Sequence, residues 1–383
     1  MLRYIVLATM VLVTKSYHVA VVGGGPAGIL SAIALARKGN RVSIFEQRLG
    51  DQVDGSRNYN LLLSERGRNS LDRFDVDYKH TSVVVKNVVR HVNGNNKPDI
   101  IQCDPSVSIA RNDLLECLRS TAKTWGVHME KSLFYDMDID KKQILTDNGE
   151  VKYDLLVGAD GANSRMRSML DKHITEFSFK EEKDDRLFKT FRVSEREMNA
   201  LDGYEDSWKG SFHVWQGSTS DVICPPTAHG GLTGTYVSQT ENFDLSRHSG
   251  IFDKLDVVQR RNLVENQPNR QKYIYCSHVG IGNAILVGDA AHSMPASLGQ
   301  GVNSALEDAV CLDRCLAIRL HVDEMVHTYN NSRIKDAHAV CDLSKKAFGN
   351  GDRSNRGAGG NKMMMYLGRP DISYSDILSF TSD

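Results

Sequence analysis

Six residues near the N-terminus, Gly23-Gly24-Gly25-Pro26-Ala27-Gly28, have the types and spacing needed to cradle a pyrophosphate. They satisfy G-x-G-x-x-G between a β-branched run at 17–22 and an Ala-, Ile- and Leu-rich segment at 27–38. Gly23 permits a tight turn, Gly25 lets a phosphate approach the backbone, and Gly28 lets the helix pack close to the strand. A helix starting near Ala27 turns free N–H groups and partial positive charge toward the same point. Glu46 ends the next β-prone run, 18 residues past Gly28, where a carboxylate can accept ribose hydroxyls. A structural glycine turn beside a surface glutamate would explain each residue singly. The ordered set of strand, glycines, helix and acid points to dinucleotide binding.

Two later turns bear on which dinucleotide. Asp160, in Gly158-Ala159-Asp160-Gly161, follows an apolar run at 151–157. Asp289, in Gly288-Asp289-Ala290-Ala291-His292-Ser293-Met294-Pro295, follows a second at 285–287 and leads into Leu298-Gly299-Gln300-Gly301-Val302-Asn303. An aspartate leaving a strand can accept a hydrogen bond from a ribityl hydroxyl. A glycine-rich turn into a helix can aim N–H groups at the electron-rich edge of an isoalloxazine. No side chain stands out as a catalytic acid or base. His292 reads as a structural hydrogen-bonding residue, and His213 and His229 as ordinary core or surface histidines. Seven cysteines, an odd number with no C-x-x-C pair, imply reduced thiols and neither a disulfide framework nor a metal site.

The elements that must position these groups follow from the pattern. Strand 17–22, helix 27–38 closed by Gly39-Asn40, and strand 41–46 form a βαβ unit with a parallel pair. A helix at 112–126 carries Leu114, Leu115, Leu118 and Ala122 on one face, and another covers 303–318. Residues 177–275 change to short β-prone runs with Trp208, Phe212, Trp215 and Tyr236, the mark of a sheet-based insert. The fold class is therefore α/β with an α+β insert. The expected division is a discontinuous dinucleotide domain of 17–80, 105–176 and 276–348, and a β-sheet substrate domain of 81–104 and 177–275. A Gly-, Asn- and Arg-rich stretch at 349–361 opens a flexible tail running to 383. The formal charge of −1 over 383 residues gives no electrostatic reason for a nucleic-acid partner. Arg3 precedes an apolar run at 4–13, within an N-terminal extension of 1–16. That run is long enough for a signal-peptide core and too short to span a bilayer, so a secretory or organellar signal, a membrane-associating tether and a plain extension all stay open. A cytoplasmic location is equally open.

The glycine fingerprint, Gly-Ala-Asp-Gly and Gly-Asp-Ala-Ala-His-x-x-Pro, in that order, resemble the aromatic-hydroxylase group of FAD-dependent monooxygenases, with the para-hydroxybenzoate hydroxylase fold. The resemblance covers about 17–348. It implies a Rossmann-like FAD-binding domain, noncovalent FAD, NADPH as reductant, O2 as co-substrate, and hydroxylation of a small aromatic molecule through a flavin C4a-hydroperoxide. It further implies that Arg48, Leu62, Arg111, Gly299, Gly301, Val302 and Asn303 join Gly23, Gly25, Ala27, Gly28, Glu46, Asp160 and Asp289 in holding FAD. Within the group, Asn60-Leu61-Leu62-Leu63-Ser64-Glu65-Arg66-Gly67-Arg68 and the segment from Arg333 to Ser344 are similar to stretches of kynurenine 3-monooxygenases. The substrate-carboxylate clamp of those enzymes (an Arg, a Tyr and an Asn) falls here on Asn87, on Ile101 or Gln102, and on Ala347. Their phenylalanine pair before Gly-Gln-Gly becomes Ser297-Leu298. Asn87, Gln102, Pro295, Leu298 and Ala347 are accordingly the substrate-site candidates; the charge that would pair a buried carboxylate is missing among them, with Arg90 or Lys86 the alternatives that could supply it. A reductase or oxidative cyclase of the same fold, or a flavin-binding protein without turnover, are the rival readings.

Overall fold

The computed structural model describes residues 16–51, 59–92, 97–317, 321–347, 363 and 366–381. The apolar run at 4–13 and the linker at 349–361 lie outside the described residues. Among those described, no helix is long and apolar enough to cross a membrane.

The strand His18–Val22 is buried over its last four residues, and Gly25 caps the helix Pro26–Ala36 with Pro26 in its first turn, where a missing N–H costs nothing. That helix is buried from Ala27 to Leu35, because it lies between the sheet and the helices Arg111–Thr124 and Gly301–Ala317. His18–Val22 pairs in parallel with Arg41–Glu46 on one side and with Leu155–Gly158 on the other. The full six-stranded sheet runs Gly280–Ile281, Ala284–Leu286, Leu155–Gly158, His18–Val22, Arg41–Glu46, His128–Lys131. Its central strands read as continuous apolar runs, as strands covered on both faces must.

An eight-stranded sheet forms the second layer, in the order Asn269–Cys276, Phe179–Val193, Leu232–Ser238, Ser220–Cys224, Phe212–Gln216, Ser82–Val92, Asp99–Ala110, Asn60–Leu63. Alternation divides its faces. Trp215, Val222, Tyr236 and Val89 enter a separate apolar core with Trp208 and Phe252, while Phe212, Val214, Ile223 and Val237 turn to the opposite side.

Four expectations need correction. The expected boundary at 104/105 cuts the continuous strand Asp99–Ala110, and Asn60–Leu63 also belongs to the large sheet, so that sheet draws strands from both of the expected domains. The run at 151–157 divides: Gly149–Lys152 joins a small three-stranded sheet with Phe134–Asp138 and Gln143–Thr146, and only Leu155–Gly158 enters the parallel sheet. The insert contains the helices Glu195–Asn199, Ser249–Phe252 and Val257–Glu265, which the β-prone pattern hid. The C-terminal segment is not a loose tail throughout. Tyr374–Phe380 is a helix packed on the helix Val322–Lys346, with Tyr374 and Ile377 wholly buried. The physical reason is Arg66. Its buried guanidinium donates to Leu367 O (2.8 Å), to Ile372 O and to Glu307 (2.9 Å), and lies 4.2 Å from the Tyr374 ring centre. Without that segment, a buried charge would lose most of its acceptors.

Candidate active site

The two layers enclose a cleft of about 2310 Å³. The glycine turn opens on it, and each glycine meets a different steric demand. Gly23 has φ of +107°, and a Cβ there would stand 2.3 Å from Ala159 O. A Cβ on Gly28 would meet Gly23 O at 2.1 Å, so the helix can approach the turn only without a side chain. Gly25 differs: nothing lies within 4 Å of its would-be Cβ, and the empty side faces the cleft. The N-terminus of Pro26–Ala36 therefore presents bare backbone to an anion.

Glu46 borders this turn. Its carboxylate accepts from Gly24 N (2.7 Å) and Arg48 N (2.9 Å), which fixes its aim and leaves lone pairs for ribose hydroxyls. Arg48 lines the cleft beside it, half exposed. Asp160 also reaches the cleft, but its carboxylate is already engaged. It accepts from Ser164 Oγ (2.5 Å), Arg165 N (2.7 Å) and Met166 N (3.0 Å), capping the helix Arg165–His173.

Asp289 is the contrasting case. It leaves the strand Ala284–Leu286 through Gly288, whose φ is +58°, and opens on the cleft with no hydrogen-bond partner among the described residues. Protein surrounds it on its other sides, and that desolvation raises its carboxyl above the ordinary range. The nearby charges of His292, Arg111 and Arg167 oppose the rise. Arg111 starts the helix Arg111–Thr124, anchored by its N–H to Tyr59 O (3.0 Å), and its side chain lines the same cleft.

Beneath Asp289 lies a buried charge cluster. Asp308 accepts from Gly288 N (2.6 Å), His292 Nε2 (2.8 Å) and Arg333 Nε (2.5 Å), and Arg333 also donates to Ser304 O and Oγ. Burial alone would raise the Asp308 carboxyl, but His292 and Arg333 outweigh it and hold it low. His292 is buried and does not line the cleft; it holds the turn that carries Asp289. Neither Asp308 nor Arg333 is recognisable as a site residue from sequence, because their roles depend on a 25-residue separation between two helices.

On the far side, Gly299 (φ +63°), Gly301 and Val302 line the cleft where the helix Gly301–Ala317 begins, and Leu62 faces them. Asn303 does not reach the cleft. It is wholly buried, accepting from Ser64 N (3.0 Å) and donating to Leu62 O (3.1 Å) and Gly299 O (2.9 Å). The expected isoalloxazine contact is thus replaced by a rivet that joins the two backbone segments bordering the cleft. Among the substrate candidates, Gln102, Pro295, Leu298 and Ala347 line the cleft. Asn87 does not: a register shift between Val85 and Asn87 puts Val85, Val88 and Arg90 there instead.

These residues fit FAD. Two helix N-termini, glycines with an empty face (Gly25, Gly299 and Gly301 among them) and one unpartnered carboxylate line a single cleft, where a dinucleotide's phosphates, ribityl hydroxyls and ring edge require them. The arrangement defines a flavin-dependent oxidoreductase. A family model described as FAD binding domain matches residues 16–344, and the chain belongs to that family. It is an FAD-dependent monooxygenase of the aromatic-hydroxylase type. It is 28% identical over 396 residues to the kynurenine 3-monooxygenase acdD of Aspergillus candidus, covering 88% of this chain and 78% of that one. The kynurenine 3-monooxygenase of Drosophila willistoni is 27% identical, over 85% of this chain and 77% of its own. Among solved structures, the tetrameric form of 2-methyl-3-hydroxypyridine-5-carboxylic acid oxygenase superposes with a TM-score of 0.74 at 20% identity, covering 87% of this chain and 91% of that one. CtdE in complex with FAD superposes at 0.71 and 15%, covering 96% and 98%.

Proposed function

We propose that this chain hydroxylates a small aromatic substrate with O2 and NADPH, holding FAD without a covalent link. The observation that carries the reading is Asp289, an unpaired carboxylate in a cleft walled on its other side by a sheet of a second layer. Bound flavin, once reduced by the nicotinamide, supplies the activation of O2: one oxygen atom enters the ring C–H bond and the other leaves as water.

The protein's own part is position and shielding. Gly23, Gly25 and the N–H groups at Ala27 and Gly28 take the pyrophosphate, Glu46 the adenosine ribose, and Asp289 the ribityl chain. Gly299, Gly301 and Val302 aim backbone N–H groups at the ring system, with Leu62 opposite and Arg111 balancing charge beside Asp289. Phe188, Phe212, Val214 and Val237 on the sheet, with Leu298 and Ala347, form an apolar wall for an aromatic ring. Tyr366 and Leu367 of the C-terminal segment close a further side. A dry wall matters because water at the reacting centre diverts oxygen to H2O2.

The test is an absorbance spectrum of the purified protein, followed by NADPH and O2 consumption with a panel of aromatic acids and amino acids. Flavin bands bleached faster by NADPH in the presence of one panel member, with matching O2 uptake and hydroxylated product, are expected. A protein that cannot be loaded with FAD overturns the reading, as does turnover of substrate without O2.

A further inference from the structure

The expected carboxylate clamp is missing at Asn87, Gln102 and Ala347, yet the cleft is not without a buried charge. At the bulge between Lys183 and Leu187, where the strand Phe179–Val193 loses register with Asn269–Cys276, Asp184 and Arg186 both turn into the cleft. Arg186 Nε lies 3.0 and 3.1 Å from the two carboxylate oxygens of Asp184, and an Nη nitrogen 2.6 Å from one of them. Their side chains are only 11% and 10% exposed, so the pair sits in the wall rather than on the rim. Arg270 braces the bulge by donating to Asp184 O (3.1 Å), and Arg186 lies close enough to Tyr273 for its positive charge to act on the phenol. Tyr273 packs with Met294, Leu298 and Ala347, the apolar group beside the flavin-side loop. Gln271, two residues away on the same strand, accepts from Ala296 N (3.0 Å) of that loop.

A buried ion pair of this kind has no net charge to offer a simple anion. It is complementary to a molecule that carries both signs a few ångströms apart. We propose that Asp184 and Arg186 are the specificity-determining anchor of the substrate, reading a zwitterionic amino-acid headgroup: Arg186 receives the carboxylate and Asp184 the ammonium group. The inference rests on the monooxygenase reading above and names the headgroup that its aromatic substrate carries. In the free protein each ion satisfies the other, which avoids a bare charge in the wall. On binding, each exchanges part of that contact for an opposite charge of the ligand, and the four charges alternate in sign. A bulge is suited to the task, because its two extra residues take side chains out of the regular pairing. A pair that merely stapled the bulge would affect stability and leave headgroup preference alone.

The experiment uses FAD-loaded protein and reads ligand binding from the change in flavin absorbance. Kynurenine, tryptophan and tyrosine are each compared with the decarboxylated amine and the deaminated acid of the same ring system. At least one amino acid should bind, and each truncated partner should bind about tenfold more weakly or worse, the loss of a charge-assisted contact. Arg186→Gln should abolish the preference for the amino acid over its amine, and Asp184→Asn the preference over its acid. Arg186→Lys should restore part of the first. FAD content and thermal midpoint identify variants that no longer fold; for those the wild-type headgroup series alone decides. The proposal is overturned if the wild-type protein binds amine, acid and amino acid alike, or if folded variants keep the wild-type preferences. A neutral aromatic that is hydroxylated while no amino acid binds removes the anchor and leaves the monooxygenase reading standing. A protein that takes up no FAD removes both.

Discussion

Gly25 and Gly28 stand three residues apart in one turn, and the structure predicts opposite outcomes for filling them. Gly25 has φ of −78°, a conformation open to any residue, and its would-be Cβ touches nothing. Gly25→Val should therefore cost the apoprotein about 1 kcal/mol or less, chiefly as a poorer helix cap. Its methyl groups, however, would occupy the side from which a pyrophosphate must approach. Losing two N–H contacts to a charged oxygen, at about 1.5–3 kcal/mol each, weakens FAD binding by about 3–6 kcal/mol, or a hundredfold to ten-thousandfold. Gly28→Ala puts a methyl 2.1 Å from Gly23 O, and the helix must shift at about 1–3 kcal/mol. Thermal unfolding of the two apoproteins, with FAD titration by flavin fluorescence, separates these effects. Gly25→Val should melt within about 3 °C of the parent and gain nothing from added FAD, whereas Gly28→Ala should melt lower before any cofactor is added. A Gly25→Val protein that purifies with stoichiometric FAD would refute the assignment of the turn.

Three further outcomes are expected. The raised carboxyl of Asp289 means that the native apoprotein holds its proton longer than the unfolded chain, so stability should fall as pH rises from about 3.8 through the raised value. Asp289→Asn should flatten that fall and lower FAD affinity together, checked by apoprotein melting against pH and by flavin titration. His91 and His213 share a hydrogen bond of 3.1 Å in the second core, and burial lowers them from 6.5 to about 3 and about 4. Their neutral forms favour the native state, so stability should be complete above 6.5 and drain away as pH falls toward 4; His91→Phe, which keeps the stacking on Trp215, should lessen that slope in acid-unfolding curves. Tyr374 donates to Gln300 Oε1 (3.0 Å) within the loop leading to Gly301. Tyr374→Phe should cost about 1 kcal/mol in denaturant unfolding and raise the H2O2 released per NADPH oxidised; an unchanged coupling ratio would confine Tyr374 to packing.

The legible parts of this fold are those that obey local rules. The glycine turn, the βαβ unit and the mixed α/β class follow from backbone sterics and apolar runs within 30 residues of one another. Asn303 was expected at the ring and serves as a rivet instead, because its role depends on Leu62 and Ser64, which lie some 240 residues earlier. Asn87 failed as a cleft residue because one bulge re-aims its strand, and a bulge leaves no mark in an alternating Val-rich pattern. The same blindness hid Asp184 and Arg186: two charges in a run as polar as Glu181-Glu182-Lys183-Asp184-Asp185-Arg186 read as solvated surface. The folded C-terminal helix was obscured by the Gly-rich stretch before it. Its anchor, Arg66, lies about 300 residues upstream of Leu367 and Ile372.

That interlacing has a consequence for the ribosome. The strand His18–Val22 emerges well before one of its neighbours, Leu155–Gly158, which comes more than 130 residues later, and the strand beyond that one begins at Ala284. The floor of the cleft waits longer still, for Gly288, Asp308 and Arg333. Until then the nascent chain carries the apolar faces of a half-built sheet, without the turn that would hold the ribityl chain. Long-range pairing of this kind folds slowly and exposes sticky surface meanwhile. Supply of FAD during expression should therefore govern the yield of soluble protein only once Arg333 has left the ribosome, as a late clasp on the assembled cleft.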